Sequence, residues 1–209
     1  RMAIHLHIEA TVQGCIWAFS PLRHPPPLPM NATAIEAKHY RATDALPDGS
    51  AVYLRAIRAD DKRALREGLA GFSADSAYQR FLGIKKSFTD AELVAYTEPD
   101  FIHHVALVVE IMQDGQRLPV AVGRYFTDDN ADLPSAEVSF AVHDNFQHRG
   151  IGTVLLRHLV HVARESGLVE LRAWVMSGNR GMLGVFEHAP EPSRLQRQDS
   201  LIEVTLSLV

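Results

Sequence analysis

The chain has 209 residues, a formal net charge of -4 at pH 7 and a sequence pI near 6.3, so it has no basic field to attract a nucleic acid backbone. Its single cysteine, Cys15, excludes an internal disulfide, and no Cys/His spacing matches a zinc site. No apolar run approaches the roughly 18 residues of a membrane span. We therefore expect a cytoplasmic protein that binds neither nucleic acid nor membrane and holds no metal.

Residues 1–50 differ in composition from the rest of the chain. Prolines crowd the stretch 21–29, where they forbid regular helix or central strand. We assign residues 1–50 to an extension or linker that precedes one domain, residues 51–209. The alternating segment His5–Ile8 is compatible with one edge strand, and Met30 is a candidate start because the folded pattern begins only after it.

Strand and helix patterns alternate clearly from Val52 onward. Residues 52–57 predict a strand, after which Asp60 is placed to cap a helix that ends near Gly71. A second short helix is predicted after Ser73. Thr89 and Glu92 have capping-box spacing, which predicts the start of a third helix. Three helices thus separate the first strand of the domain from the second.

The middle of the domain is a run of strands. Two apolar segments, 104–111 and 118–126, flank Asp114-Gly115 and predict a β-hairpin. An acidic loop with Asp128, Asp129 and Asp132 follows, and residues 136–142 are typical of the next strand. The loop carboxylates are suited to attract a cationic acceptor, but a merely solvated loop explains them equally well.

The last third of the domain alternates again. Apolar residues fall at helical spacing from Ile151 to Ala163, which predicts an amphipathic helix. His158 and His161 lie off that stripe, so a solvated helix face is a better explanation for them than a metal pair. A strand over 168–176, a short helix over 179–188 and a closing pair of strands, 193–198 and 201–208, complete the pattern.

One loop in this order is suited to bind an anion. Gln147-His148-Arg149-Gly150-Ile151-Gly152 lies between the strand 136–142 and the amphipathic helix. The two glycines let the backbone turn tightly and approach a ligand, and the N–H groups at the start of the helix favour a phosphate or pyrophosphate. An ordinary strand-to-helix turn is the alternative.

The order of elements, together with this loop, resembles the GNAT family of acetyl-CoA-dependent N-acetyltransferases. Gln147–Gly152 matches the family's coenzyme A signature, Q/R-x-x-G-x-G/A, and the resemblance covers residues 52–209. Within the family, the bacterial protein-lysine acetyltransferase branch is similar in three stretches: Ser76–Leu82, Phe88–Leu93 and Asn179–Leu183. The resemblance implies an α/β (α+β) fold, with a mixed, mostly antiparallel central sheet of about six to seven strands flanked by helices.

The resemblance also implies an active site with acetyl-CoA as co-substrate. A lysine amine, with an ordinary pKa of about 10.4, must lose a proton before it attacks a thioester, and Glu137 lies where related acetyltransferases place a catalytic glutamate. A solvent-facing glutamate on a strand is the alternative. Coenzyme contacts are expected from the strand, the loop and the last helix: Phe140, Ala141, Val142, Gln147, His148, Arg149, Gly150, Ile151, Gly152, Thr153, Asn179 and Phe186.

Two positions depart from the family pattern. Many members have a tyrosine seven residues after the asparagine of the last helix, where it protonates the leaving thiolate, whereas this chain has Phe186. The frequent Gly-Phe after that helix is replaced by Ala189-Pro190-Glu191-Pro192. Because a thiol pKa of about 8.5 makes the leaving group a modest base, the loss of the tyrosine need not abolish activity.

The sequence therefore predicts an enzyme that transfers an acetyl group from acetyl-CoA to a primary amine, with Glu137 as general base. We favour a protein lysine as the acceptor. A small amine or polyamine is the alternative acceptor, and a non-catalytic acetyl-CoA-sensing regulatory module is the alternative class. Whether the protein forms a homodimer stays open.

Overall fold

The computed structural model describes residues 36–70, 73 and 87–209, so most of the helix predicted after Ser73 lies outside the described residues. The described chain forms one eight-stranded sheet in the order β1-β2-β3-β4-β5-β6-β8-β7. The strands are β1 (Arg41–Ala45), β2 (Ala51–Ala56), β3 (His104–Gln113), β4 (Gln116–Thr127), β5 (Ser135–Val142), β6 (Glu170–Met176), β7 (Ser193–Gln198) and β8 (Leu201–Ser207).

Four α-helices flank the sheet within the described residues: α1 (Lys62–Ala70), α2 (Asp90–Thr97), α3 (Ile151–Glu165) and α4 (Arg180–Glu187). Neighbouring strands are antiparallel except for the parallel pair β5 and β6. The expected mixed, mostly antiparallel sheet flanked by helices is confirmed. No helix in the described part of the chain is long and apolar enough to cross a membrane.

The sheet has eight strands where we expected six to seven, and the additional strand is β1. It lies within the stretch assigned to an extension, and its side chains alternate only between exposed and half-buried. Its sequence therefore lacks the apolar alternation that would have predicted a strand. Five residue pairs with β2, from Arg41 opposite Arg55 to Ala45 opposite Ala51, hold it in the sheet.

The main core lies between the sheet and α3. The predicted apolar stripe from Ile151 to Ala163 is buried, as expected. Gly123 on β4 lets the helix come close, because a Cβ there would lie 2.8 Å from Leu159 Cδ1 and 2.9 Å from Leu155 Cδ2. The start of α3, which carries the glycine loop, is thus fixed against the centre of the sheet.

Helix α1 begins differently from the expectation. Asp61, not Asp60, caps the turn, since its Oδ2 accepts a hydrogen bond from the Arg58 N–H at 2.8 Å. Asp61 is drawn inward by the buried Arg55 guanidinium, which donates to both its carboxylate oxygens at 2.6 and 2.7 Å. The predicted capping box of Thr89 and Glu92 is confirmed at the start of α2.

The two parallel strands separate soon after they meet. β5 and β6 are in register only over three pairs, from Ser135 opposite Glu170 to Glu137 opposite Arg172. Beyond Glu137 the strands diverge and leave a wedge-shaped opening in the sheet. Such an opening exposes main-chain groups along one edge of β5, and these need other hydrogen-bond partners.

Candidate active site

A cleft of about 470 Å³ occupies the opening between the diverging strands. Its walls are the second half of β5 and the second half of β6. The N-terminus of α3 and one side of α4 close it. Its lining begins just beyond the last pair of these strands, Glu137 opposite Arg172, with Val138 on β5 and Ala173 on β6.

The glycine loop has the backbone conformation of an anion site. Gly150 is the N-cap of α3 with φ 87° and ψ 0°, a left-handed conformation that glycine adopts without strain. His148, two residues earlier, also has a positive φ of 59°. Left-handed residues close together turn successive N–H groups to the same side, and the start of α3 adds its own N–H groups. The loop therefore fits a phosphate or pyrophosphate group.

The two glycines of the signature serve different purposes. A Cβ on Gly150 would lie 2.8 Å from Pro47 Cδ, in the turn between β1 and β2. A Cβ on Gly152 would lie 3.0 Å from Val185 Cγ2, so this residue lets α3 and α4 pack closely. Only the tertiary structure shows that the second glycine serves helix packing.

The side chains of the loop mostly brace the loop itself. Gln147 Nε2 donates to the Val142 carbonyl and to Asp144 Oδ1, both at 3.1 Å. Arg149 points away from the cleft, where its Nη2 lies 3.5 Å from Asp48 Oδ2. Of the twelve expected coenzyme contacts, all line the cleft except Arg149.

The two expected contacts on α4 have clear structural surroundings. Asn179 Oδ1 accepts a hydrogen bond from the Met182 N–H at 3.0 Å, so Asn179 caps the helix while also lining the cleft. Phe186 is 2% exposed and packs against Phe140, with ring centroids 5.9 Å apart. Phe186 therefore joins the core to the cleft and offers no hydroxyl.

Glu137 is half-buried on the face of the sheet opposite α3, because side chains alternate along β5 and Val138 and Phe140 belong to the core. The sheet registers place it in a transverse row between Phe126 on β4 and Arg172 on β6. Arg172 also pairs with Glu170 at 3.1 Å. A carboxylate and a guanidinium are therefore neighbours in the sheet, one residue before the cleft lining begins at Val138 and Ala173, and neither side chain lines the cleft itself.

His104 continues this row on β3. Its ring stacks on Phe126 with centroids 4.0 Å apart, and its Nε2 lies 3.3 Å from Arg124 Nη1. Burial, followed by the nearby Arg124 charge, lowers the pKa of His104 to about 3. His104 is thus neutral and accepts the hydrogen bond from Arg124. No role was assigned to it from the sequence.

Our expectation that His158 lies on a solvated helix face is wrong. Its side chain is 14% exposed, its Nδ1 lies 2.5 Å from Tyr40 Oη, and its Nε2 lies 3.0 Å from Asp44 Oδ2. The unpredicted strand β1 covers this side of α3, which explains the burial. Among the described residues, no group of three or more His, Cys, Asp or Glu side chains could hold a metal.

Sequence reasoning missed the far wall of the cleft, which consists of Ala173, Trp174, Val175 and Met176 on β6. Their alternating pattern showed a strand. It did not show that the strand runs parallel to β5 and separates from it. Sequence reasoning also missed that Pro47 and Asp48 lie beside the glycine loop, since the turn that carries them precedes the loop by about a hundred residues.

Comparisons with known proteins agree with this geometry. The model of the acetyltransferase (GNAT) family matches residues 73–189. Acetyltransferase PA5475 of Pseudomonas aeruginosa is 29% identical over 149 residues, which cover 71% of this chain and 78% of that protein. Acetyltransferase Pat of Mycolicibacterium smegmatis is 31% identical over 139 residues, which cover 66% of this chain but 40% of Pat.

A solved structure supports the same assignment. The GNAT domain of S. lividans PAT is 28% identical, with a TM-score of 0.70 and coverage of 80% of this chain and 96% of that domain. The family model covers more than half of the chain and includes both the cleft and the glycine loop. The chain belongs to the GNAT family and is an acetyl-CoA-dependent acetyltransferase.

Proposed function

We propose that this enzyme acetylates lysine side chains of proteins, with Glu137 as the general base. The observation that carries the proposal is the position of Glu137, at the last residue pair before β5 and β6 diverge. It is the only carboxylate on β5 and immediately precedes Val138, the first residue of β5 that lines the cleft. A base at that point reaches an amine that approaches from the face opposite α3.

The cleft orients the coenzyme along its length. The loop Gln147–Gly152 and the start of α3 would hold the pyrophosphate. The edge of β5 beyond Glu137 faces no strand among the described residues, so its main-chain groups are placed to pair with the pantetheine amides. Acetyl-CoA supplies the thioester, which is the activated form of the acetyl group.

The amine loses two protons during the reaction, and each has its own acceptor. Glu137 takes one proton from the ammonium group, directly or through water, and leaves a neutral amine. The amine nitrogen bonds to the acetyl carbon while the carbon–sulfur bond breaks, and the second amine proton ends on the departing sulfur. Phe186 contributes no proton to this step, so the modest basicity of the thiolate must suffice.

A protein lysine is the acceptor that the similarities favour. The sequence resembles the protein-lysine acetyltransferase branch in three stretches, and Acetyltransferase Pat is among the similar proteins. Three carboxylates face the single Arg172 guanidinium near the start of the cleft, since Asp128 lies 4.0 Å and Glu170 3.1 Å from Arg172 and Glu137 is its register partner, so the local charge is net negative. Carboxylates near the cleft attract a cationic side chain before it loses its proton.

The test is the substitution Glu137→Gln, which keeps the size of the side chain and removes the base. We expect turnover of a lysine peptide to fall by about 10²–10⁴-fold, the range for a lost general base, while calorimetric affinity for coenzyme A stays within about twofold. Glu203→Gln is the matched control, because Glu203 lies on the same face of the sheet two strands from Glu137. Unchanged turnover in Glu137→Gln would contradict the role of this residue.

The acceptor is tested separately with the wild-type enzyme. Lysine peptides, intact lysate proteins and a panel of polyamines are incubated with acetyl-CoA, and the products are identified by mass spectrometry. Acetylated lysines are the expected result. Transfer to polyamines alone would replace the lysine assignment with the small-amine alternative.

A further inference from the structure

We propose that Asp48 lowers the affinity of the coenzyme site. Its carboxylate holds the Arg149 guanidinium, and the coenzyme's pyrophosphate must displace that carboxylate in order to pair with Arg149. The inference rests on the coenzyme-binding role proposed for the loop Gln147–Gly152. It concerns a residue far from that loop in sequence. Asp48 therefore acts through Arg149 and is a positioning residue rather than a direct contact.

The turn that carries Asp48 is firmly placed beside the loop. It is closed by hydrogen bonds from the Leu46 N–H to the Ser50 carbonyl and from the Gly49 N–H to the Leu46 carbonyl, both at 2.9 Å. Pro47 packs directly against Gly150. Because the turn and the loop are in contact, the position of the Asp48 carboxylate relative to the backbone of the loop is defined.

The Asp48 carboxylate has two partners of different strength. Its Oδ1 accepts a hydrogen bond from the Ser50 N–H at 2.8 Å, whereas its Oδ2 lies 3.5 Å from Arg149 Nη2. The Ser50 bonds, with a smaller contribution from Arg149, hold the pKa of Asp48 below its ordinary value. Asp48 is therefore a full negative charge at neutral pH.

Arg149 is held only loosely. Its side chain is 39% exposed, and besides Asp48 its described neighbour is the Phe146 ring, whose centroid lies 5.9 Å from Arg149 Cζ. A surface ion pair at this distance contributes little stability. A pyrophosphate bound at the N–H groups beside Gly150 carries more charge than one carboxylate, so it competes effectively for the guanidinium.

This arrangement has a definite electrostatic consequence. While Asp48 holds Arg149, part of the binding free energy of the coenzyme is spent on separating the pair. Removal of the Asp48 charge frees Arg149 for the pyrophosphate and should therefore tighten coenzyme binding rather than weaken it.

The experiment measures coenzyme A binding by calorimetry for wild type, Asp48→Asn, Arg149→Gln and the double variant, at low and high salt. Asparagine keeps the Oδ1 acceptor for Ser50, so the turn is preserved. We expect Asp48→Asn to bind about two- to fivefold more tightly at low salt, the range for one exposed ion pair, with the gain shrinking at high salt. In the Arg149→Gln background the gain should be lost.

Asp114→Asn is the matched control, since Asp114 lies in the turn between β3 and β4 and the substitution changes the net charge equally. Weaker or unchanged binding by Asp48→Asn overturns the proposal, as does a gain that persists in the Arg149→Gln background or appears in Asp114→Asn. Wild-type enzyme that binds no coenzyme A would instead refute the role of the loop, and thermal melts of all variants show whether any has lost its fold.

Discussion

His104 shows how one half-buried residue makes the stability of the fold depend on pH. Its ring lies between Phe126 and Arg124 on the Glu137 face of the sheet, and its pKa falls to about 3. The unfolded chain takes up a proton at His104 near pH 6.5, whereas the folded protein does so only near pH 3. The neutral ring therefore favours the fold above pH 6.5, and this contribution is lost as the pH falls through that window.

The substitution His104→Gln should flatten this part of the pH dependence, because glutamine keeps an acceptor for Arg124 and takes up no proton. From pH 7 to pH 4 we expect wild type to lose about 3 kcal/mol more unfolding free energy than the variant. Urea unfolding at both pH values measures the difference. Equal losses in the two proteins would show that His104 is protonated in the fold at pH 4.

At the scale of elements, the contact between α3 and α4 sets the width of the cleft. Gly152 in the first turn of α3 faces Val185 on α4, and α4 in turn places Phe186 against Phe140 on β5. Three elements that line the cleft are thus joined through one glycine. A larger side chain at this position must push the two helices apart, because close-packed interiors have no room for it.

The substitution Gly152→Val should therefore reduce the unfolding free energy by about 1–3 kcal/mol and weaken coenzyme A binding. Val185→Ala in the same chain should restore most of both losses, since it removes the Cγ2 atom that a Cβ on Gly152 would meet at 3.0 Å. Denaturation and calorimetry measure the two quantities. Gly68→Val is the stability control, because among the described residues no atom outside the local helix backbone lies within 4 Å of a Cβ at that position.

At the scale of the whole molecule, the segment just before the predicted domain belongs to the folded body. β1 pairs with β2, and the ends of β1 adjoin Tyr40 and Leu46, which are 7% and 3% exposed. Tyr40 and Asp44 both bond His158 on α3. The hairpin formed by β1 and β2 thus joins one edge of the sheet to α3.

Two truncations test this boundary. A protein of residues 36–209 should keep the cooperative unfolding and the activity of the full chain, because it retains β1 and the His158 contacts. A protein of residues 51–209 should melt at a lower temperature, since it loses a strand and exposes the edge of β2. Equal melting temperatures for the two would show that β1 contributes no stability to the domain.

The sequence by itself determined the features that depend on neighbouring residues. Helix α3 follows from the spacing of its apolar side chains, the start of α2 follows from Thr89 and Glu92, and the glycine loop is recognisable because its residues are contiguous. Local hydrogen bonds and periodic burial depend on residues a few positions apart. These features gave the fold class and the cleft-lining residues of β5, the glycine loop and the start of α3.

Only the tertiary structure decided which distant segments meet. β1 has no apolar pattern of its own and exists through its pairing with β2, which in turn buries His158. Arg149 looks like a phosphate ligand in sequence, yet in the fold it lies against Asp48. Contacts between residues a hundred positions apart depend on how strands order in the sheet and helices pack on it, which no local pattern records.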